Sequence, residues 1–187
     1  MRELIAAAAI AACMLAPLSA GAQDGDRPTA ATDITTADIA AVRNWPEGGI
    51  DRQLKVVDIG KLNVAVGVLH RDAFTGEDGA PGGLVHNQVT EVYYVLSGSG
   101  TLVTGGDYTQ QREFAADHVV VTDLVGPTTA GTSSNGQIRQ VSAGDIVVIP
   151  AGVFHGWSDI PDHVTYLSIR PDPDRVLPTG YVHPALE

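Results

Sequence analysis

The chain has 187 residues, a formal net charge of −11 and a hydrophobic fraction of 44%. That length supports one small domain, and that apolar fraction is enough for one core. The acidic balance, unrelieved by any basic cluster, argues against nucleic acid or an anionic membrane as partner.

Residues 1–3 are a brief charged start, residues 4–18 are almost wholly apolar, and Ala20, Gly21 and Ala22 are the small residues expected before a cleavage site. Residues 1–22 therefore read as a secretory signal peptide. The apolar run is short for a bilayer and no second candidate follows, so no stable membrane insertion is expected. Residues 10–13 loosely resemble a lipoprotein box, but the hydrophobic run continues past Cys13. Cleavage after Ala22 would remove Cys13, the only cysteine, and leave a mature protein held by packing without disulfides. The expected location is periplasmic or secreted.

Residues 23–45 form an N-terminal extension whose first part, to Thr32, is polar and Ala/Thr-rich. The pattern over residues 35–44 predicts one helix, with a threonine cap, an acidic first turn and Ile39 and Val42 at helical spacing; Pro46 stops it. Ile34 and Trp45 are placed to dock it. From 46 to 187 the periodicity is that of short β-branched runs broken by Gly, Asp and Pro, at 54–57, 62–69, 93–96, 102–103, 119–121, 146–149 and 164–169. Many short strands at such spacing read as a sandwich or barrel. Residues 97–100, Ser-Gly-Ser-Gly, predict a tight hairpin turn between two strands. Residues 126–136 predict a loop, either a flap near the barrel mouth or an exposed insertion.

Two segments carry the chemistry. In residues 144–157, Gly144 and Asp145 signal a turn, an apolar β-branched run follows, and Pro150 interrupts the strand because it cannot donate a ladder hydrogen bond. Gly152 allows a backbone conformation closed to other residues, and the chain resumes with His155 and Trp157 on one face. Alone, His155 would read as a histidine capping a surface hairpin. The other segment, residues 86–103, holds His86, Gln88 and Glu91. His86 and Gln88 share a face by alternation, whereas Glu91 joins them only if the chain bends near Val89 and Thr90.

Together the segments resemble the cupin superfamily. Gly144, Pro150, Gly152 and His155 fit its G-x5-P-x-G-x2-H-x3-N pattern, with Asp159 where Asn is usual. His86, Glu91 and Gly98 fit its H-x-H…E-x6-G pattern, with three departures. Gln88 holds the second histidine position, Glu91 follows closely, and the glycine that usually precedes the first histidine is displaced to Gly82 and Gly83. The resemblance implies an all-β fold, a single double-stranded β-helix (jelly-roll) barrel over 46–187 behind the short N-terminal helix. It also implies pairing through outer strands, and so a homodimer.

The same resemblance makes His86, Glu91 and His155 ligands of a divalent first-row transition metal (Fe, Mn, Zn, Ni or Cu). Two imidazoles and a carboxylate leave coordination positions open for water or substrate. Gln88 is a fourth ligand, a hydrogen-bond partner of a bound water, or structural. Glu91, if not a ligand, is a candidate base, and Tyr93 on its face is a candidate proton donor or a core residue. His70, Arg71 and Arg170 are either cationic substrate contacts or solvated strand ends. His118, His163 and His183 have no spacing that ties them to the motifs. The leading expectation is an exported metal-dependent oxidoreductase, dioxygenase-like, acting on a small organic molecule in the barrel. A metal-dependent isomerase or lyase and a non-catalytic binding protein are the alternatives, because fold does not decide function.

Overall fold

A computed structural model describes residues 28–76 and 81–187. The signal-like segment 1–22 and its cleavage site lie outside the described residues.

The one α-helix among them, α1 (Thr36–Arg43), has the expected signals. Thr35 Oγ1 accepts from the Asp38 amide at 3.1 Å and Asp38 Oδ2 accepts from the Thr35 amide at 2.9 Å, a reciprocal capping box. Val42, with Ile34 and Ile39 beside it, packs on Leu54 and Val68 of the barrel wall. Trp45 stays partly exposed and meets the His183 ring edge-on at 5.9 Å.

Nine strands, all paired antiparallel, make the barrel: β1 (Asp51–Asp58), β2 (Asn63–Thr75), β3 (Gly82–His86), β4 (Glu91–Thr104), β5 (Asp107–Glu113), β6 (Thr128–Ser134), β7 (Gln137–Ser142), β8 (Ile146–Ile149) and β9 (His155–Asp172). The order β1-β2-β9-β3-β6-β5 forms one path, and β4 pairs with β7, β8 and β9. This is the all-β jelly-roll barrel expected from the sequence. β4, of 14 residues, and β9, of 18, are long enough to bend across both layers, and each supplies residues to the interior at both ends. One end of that interior is a dry cluster of Val95, Leu102, Val147, Ile149, Ile160 and Val164 under Trp157.

Three expectations from local sequence are corrected. Residues 97–100 do not turn the chain back; they lie within β4, whose register against β9 shifts between Val95 and Ser97 and again between Gly98 and Thr101. Gly98 sits at φ +75°, and a Cβ there would fall 1.9 Å from the His163 carbonyl oxygen, so the glycine serves a close crossing of two strands. Residues 126–136 are mostly strand β6, paired with β3 and β5, because its threonines are as much at home in a ladder as in a loop. Residues 119–121, read as a strand, open a short π-helical turn, Val120–Leu124, started by His118 Nδ1 accepting from the Val120 amide. β-branched propensity there yields to hydrogen bonding, since the Asp123 and Leu124 carbonyls accept from Gln53 and Arg170.

On the outer surface of β4 and β8, Tyr94 lies opposite Ile146, and both are exposed together with Leu96 and Val148.

Candidate metal centre

His86 ends β3, directly across from Thr128 of β6. Thr128 Oγ1 donates to the Gly126 carbonyl at 2.8 Å and lies 2.9 Å from His86 Nδ1. With its proton committed, the hydroxyl accepts from the imidazole, so His86 carries its proton on Nδ1. His155 follows the Pro150–Gly152 turn and opens β9. Its Nδ1 is 3.1 Å from the Val153 carbonyl oxygen, which can only accept, so His155 is fixed in the same tautomer. Gly83 makes the approach of β3 to this corner possible, since a Cβ there would meet the His155 carbonyl oxygen at 2.3 Å.

Glu91 is the first residue of β4, reached after the chain bends through residues 87–90, as the odd offset required. Its Oε2 lies 3.3 Å from His86 Nε2 and 3.1 Å from His155 Nε2, and the three donor atoms lie within 4.8 Å of one another. Both imidazoles present lone pairs, not protons, to a carboxylate oxygen. Three converging lone pairs repel unless a cation lies among them, and the donor set of two nitrogens and one oxygen suits a divalent first-row metal. The residues therefore fit the expected metal. All three are buried, and burial holds His86 below its ordinary value, disfavouring an imidazolium as the cation.

The far side of Glu91 is fixed as tightly. Oε1 accepts from Ser168 Oγ at 2.6 Å and from Arg170 Nε at 3.2 Å. Arg170, fully buried, spends its remaining donors on Gln53 Oε1 at 2.8 Å, the Leu124 carbonyl at 3.0 Å and Asp51 Oδ2. Burial pushes the Glu91 carboxyl up, and the Arg170 guanidinium beside it pulls it back down. Tyr93, two residues on, donates its hydroxyl to Glu91 Oε2 at 3.0 Å, and burial and that carboxylate push the phenol well above its ordinary value. Its ring packs on Tyr166 at 4.4 Å, and Tyr166 Oη accepts from Arg71 Nε at 3.2 Å.

The structure brings His86, Glu91, Tyr93 and His155 together but not Gln88. The strand ends at His86, the alternation that would have put Gln88 on the same face is lost in the bend, and Gln88 is exposed. β2 runs on to Thr75, so His70 and Arg71 do not end it; His70 bonds Thr165 Oγ1, and Arg71 turns inward. Arg170, weighed as a solvated strand end, is the most deeply engaged cation of the interior. Ser168, Gln53, Asp51 and Thr128 were missed as well. Their signal was present in part: Tyr166, Ser168 and Arg170 follow Val164 on the inward face of β9 and alternate with Leu167 and Ile169, which places polar groups where a core is expected.

The centre opens on a cavity of ≈ 880 Å³, walled by Leu69, Leu84, Trp157 and Ile160 and bordered by Arg71.

No protein-family model and no curated protein matches the chain. Solved structures resemble it in fold. A protein of Bacillus halodurans is 19% identical at a TM-score of 0.44, over 85% of this chain and 90% of its own. A Klebsiella pneumoniae protein with a double-stranded β-helix domain is 18% identical at 0.43, over 80% of this chain and 92% of its own. A cupin 2 conserved barrel domain protein of Rhodopseudomonas palustris is 16% identical at 0.37, over 65% and 59%. Activity has to be argued from the side chains of this chain.

Proposed function

We propose that this protein is an exported metal-dependent enzyme, an oxidoreductase of the dioxygenase kind, that transforms a small organic molecule inside the barrel. The observation that carries the reading is the tautomer of the two histidines. Thr128 and the Val153 carbonyl each tie up an Nδ1, so both Nε2 lone pairs are aimed at the Glu91 oxygen. His86, Glu91 and His155 would hold the metal, which when bound supplies Lewis acidity or one-electron chemistry with O₂ at its open positions. Arg170 and Ser168 keep the Glu91 carboxylate from rotating, Tyr93 brings a hydroxyl proton to the edge of the centre, and the apolar walls exclude water.

Tyr93 favours a second reading, an isomerase or lyase in which its phenol is the proton donor and the metal is redox-inert. Elemental analysis of the untagged mature protein, followed by oxygen consumption with candidate substrates, separates the two. Iron, manganese, nickel or copper with oxygen uptake supports the oxidoreductase; zinc alone supports the isomerase or lyase. Protein that takes up no metal would reduce the site to a binding pocket and end both.

Two further elements belong to the proposal. Residues 1–22 direct export and are cleaved after Ala22, which the intact mass of the secreted product checks. The exposed apolar strip of Tyr94, Leu96, Ile146 and Val148 supports a homodimer, which a monomeric sedimentation profile at micromolar concentration would rule out.

A further inference from the structure

We infer that Arg71 anchors a carboxylate of the substrate, so that the cavity takes small organic acids with an apolar body. The inference deepens the enzyme reading above and rests on it for what happens to the bound acid.

Arg71 lies on β2 at the position that alternates inward with Gly67 and Leu69, and it borders the cavity. The chain's other described interior or half-buried arginines have work elsewhere. Arg170 is consumed by Glu91, Ser168, Gln53, Asp51 and a carbonyl. Arg52 donates to the carbonyls of Val42, Arg43, Trp45 and Gly49, Arg139 on β7 donates to Thr104 Oγ1 at 2.8 Å, and Arg175 pairs with Asp58. Arg71 makes a single hydrogen bond among the described residues, Nε to Tyr166 Oη at 3.2 Å, and no described carboxylate comes within ion-pair distance of it.

That bond uses Nε and leaves Nη1 and Nη2 without a described partner on a residue that lines the cavity, and two parallel N–H groups of a guanidinium match the two oxygens of a carboxylate. A guanidinium never sheds its charge at accessible pH, and a cation set against apolar walls gains from a counter-ion. No described carboxylate pairs with it. Of the interior carboxylates, Asp51 and Glu91 are engaged by Arg170, and Asp172 accepts from the Val176 and Leu177 amides. Tyr166 stacks on Tyr93, which bonds Glu91, so the anchor and the metal donors are joined by one pair of tyrosines. Leu69, Leu84, Trp157 and Ile160 offer apolar contact to the rest of the molecule.

Calorimetric titration of the mature protein with benzoate, 3-phenylpropanoate and 4-methylpentanoate, each against its own primary amide, tests this. At least one acid should bind about ten-fold or more tightly than its amide, the scale of hydrogen bonds to a charged group. Arg71→Gln should bring that acid down to the affinity of the amide, leave the amide unchanged and leave the metal content per chain unchanged. Arg71→Lys, which keeps the charge and can still reach Tyr166, should recover part of the loss and serves if the glutamine variant melts early. The same differences should persist after the metal is stripped with a chelator. Acids no tighter than amides, an Arg71→Gln variant that binds acid normally, or an acid preference that disappears with the metal would each overturn the assignment. Inorganic phosphate displacing the acids at equal concentration would show a general anion site and overturn the carboxylate. A protein that holds no metal yet keeps the Arg71-dependent preference would leave this inference standing and remove the enzyme reading.

Discussion

The two ends of the barrel interior are built on the same strands and do opposite work. Along β4, Glu91 and Tyr93 reach the polar end while Val95 and Leu102 reach the dry end; along β9, His155, Ser168 and Arg170 serve the first and Val164 the second. At the dry end each side chain contributes by area removed from water, and a neighbour's identity matters little so long as volume is kept. At the polar end each group is tolerable only because a specific partner satisfies it. Glu91 alone accepts from three side chains, Tyr93, Ser168 and Arg170. Loss of packing should therefore cost stability and spare the metal, whereas loss of one polar partner should be felt throughout its network.

The largest effect expected is that of Arg170→Met. It leaves Glu91 and Asp51 buried without their shared counter-ion and should cost about 3–5 kcal/mol in urea unfolding of the metal-free protein. A loss under about 1 kcal/mol would mean that the network is not the unit described. Leu102→Ala, in the dry cluster and fully buried, should cost about 2–5 kcal/mol by the same measurement while metal bound per chain stays at the parent's value. Metal loss in that variant would break the division between the two ends.

Smaller in energy but sharper in location is Thr128→Val. It removes the group that holds the His86 proton on Nδ1 and should weaken metal binding by about 10–100-fold, read by competition with a chromophoric chelator, with the ligands themselves intact. The smallest effect is reserved for position 88. Because Gln88 is exposed beyond the bend, Gln88→His should not tighten metal binding, although it restores the histidine of the resembled pattern. A tighter metal in that titration would place residue 88 at the centre after all.

How much of this was legible beforehand follows the same division. The β-branched runs at 54–57, 62–69, 146–149 and 164–169 fall within strands, except for Leu62 just before β2, because an apolar face reports burial directly. The helix with its capping box was equally plain, since every partner lies within three residues. The glycines of residues 97–100 misled, because the sequence shows that a side chain is absent but not whether the space is needed for a turn or for a crossing strand. Gln88 misled because alternation was extended past the end of its strand.

By itself, then, the sequence determined the fold class, most of the apolar runs that become strands and the two segments that bear His86, Glu91 and His155, all of which follow from local patterning and from spacing within one segment. Only the tertiary structure decided that Arg170 belongs to Glu91, that Thr128 sets the His86 tautomer and that Arg71 stands without a described counter-ion. Those pairings join residues 79 and 42 positions apart, or depend on what fails to arrive. Electrostatics at a few ångströms is set by where strands meet, and no local pattern in the chain encodes that meeting.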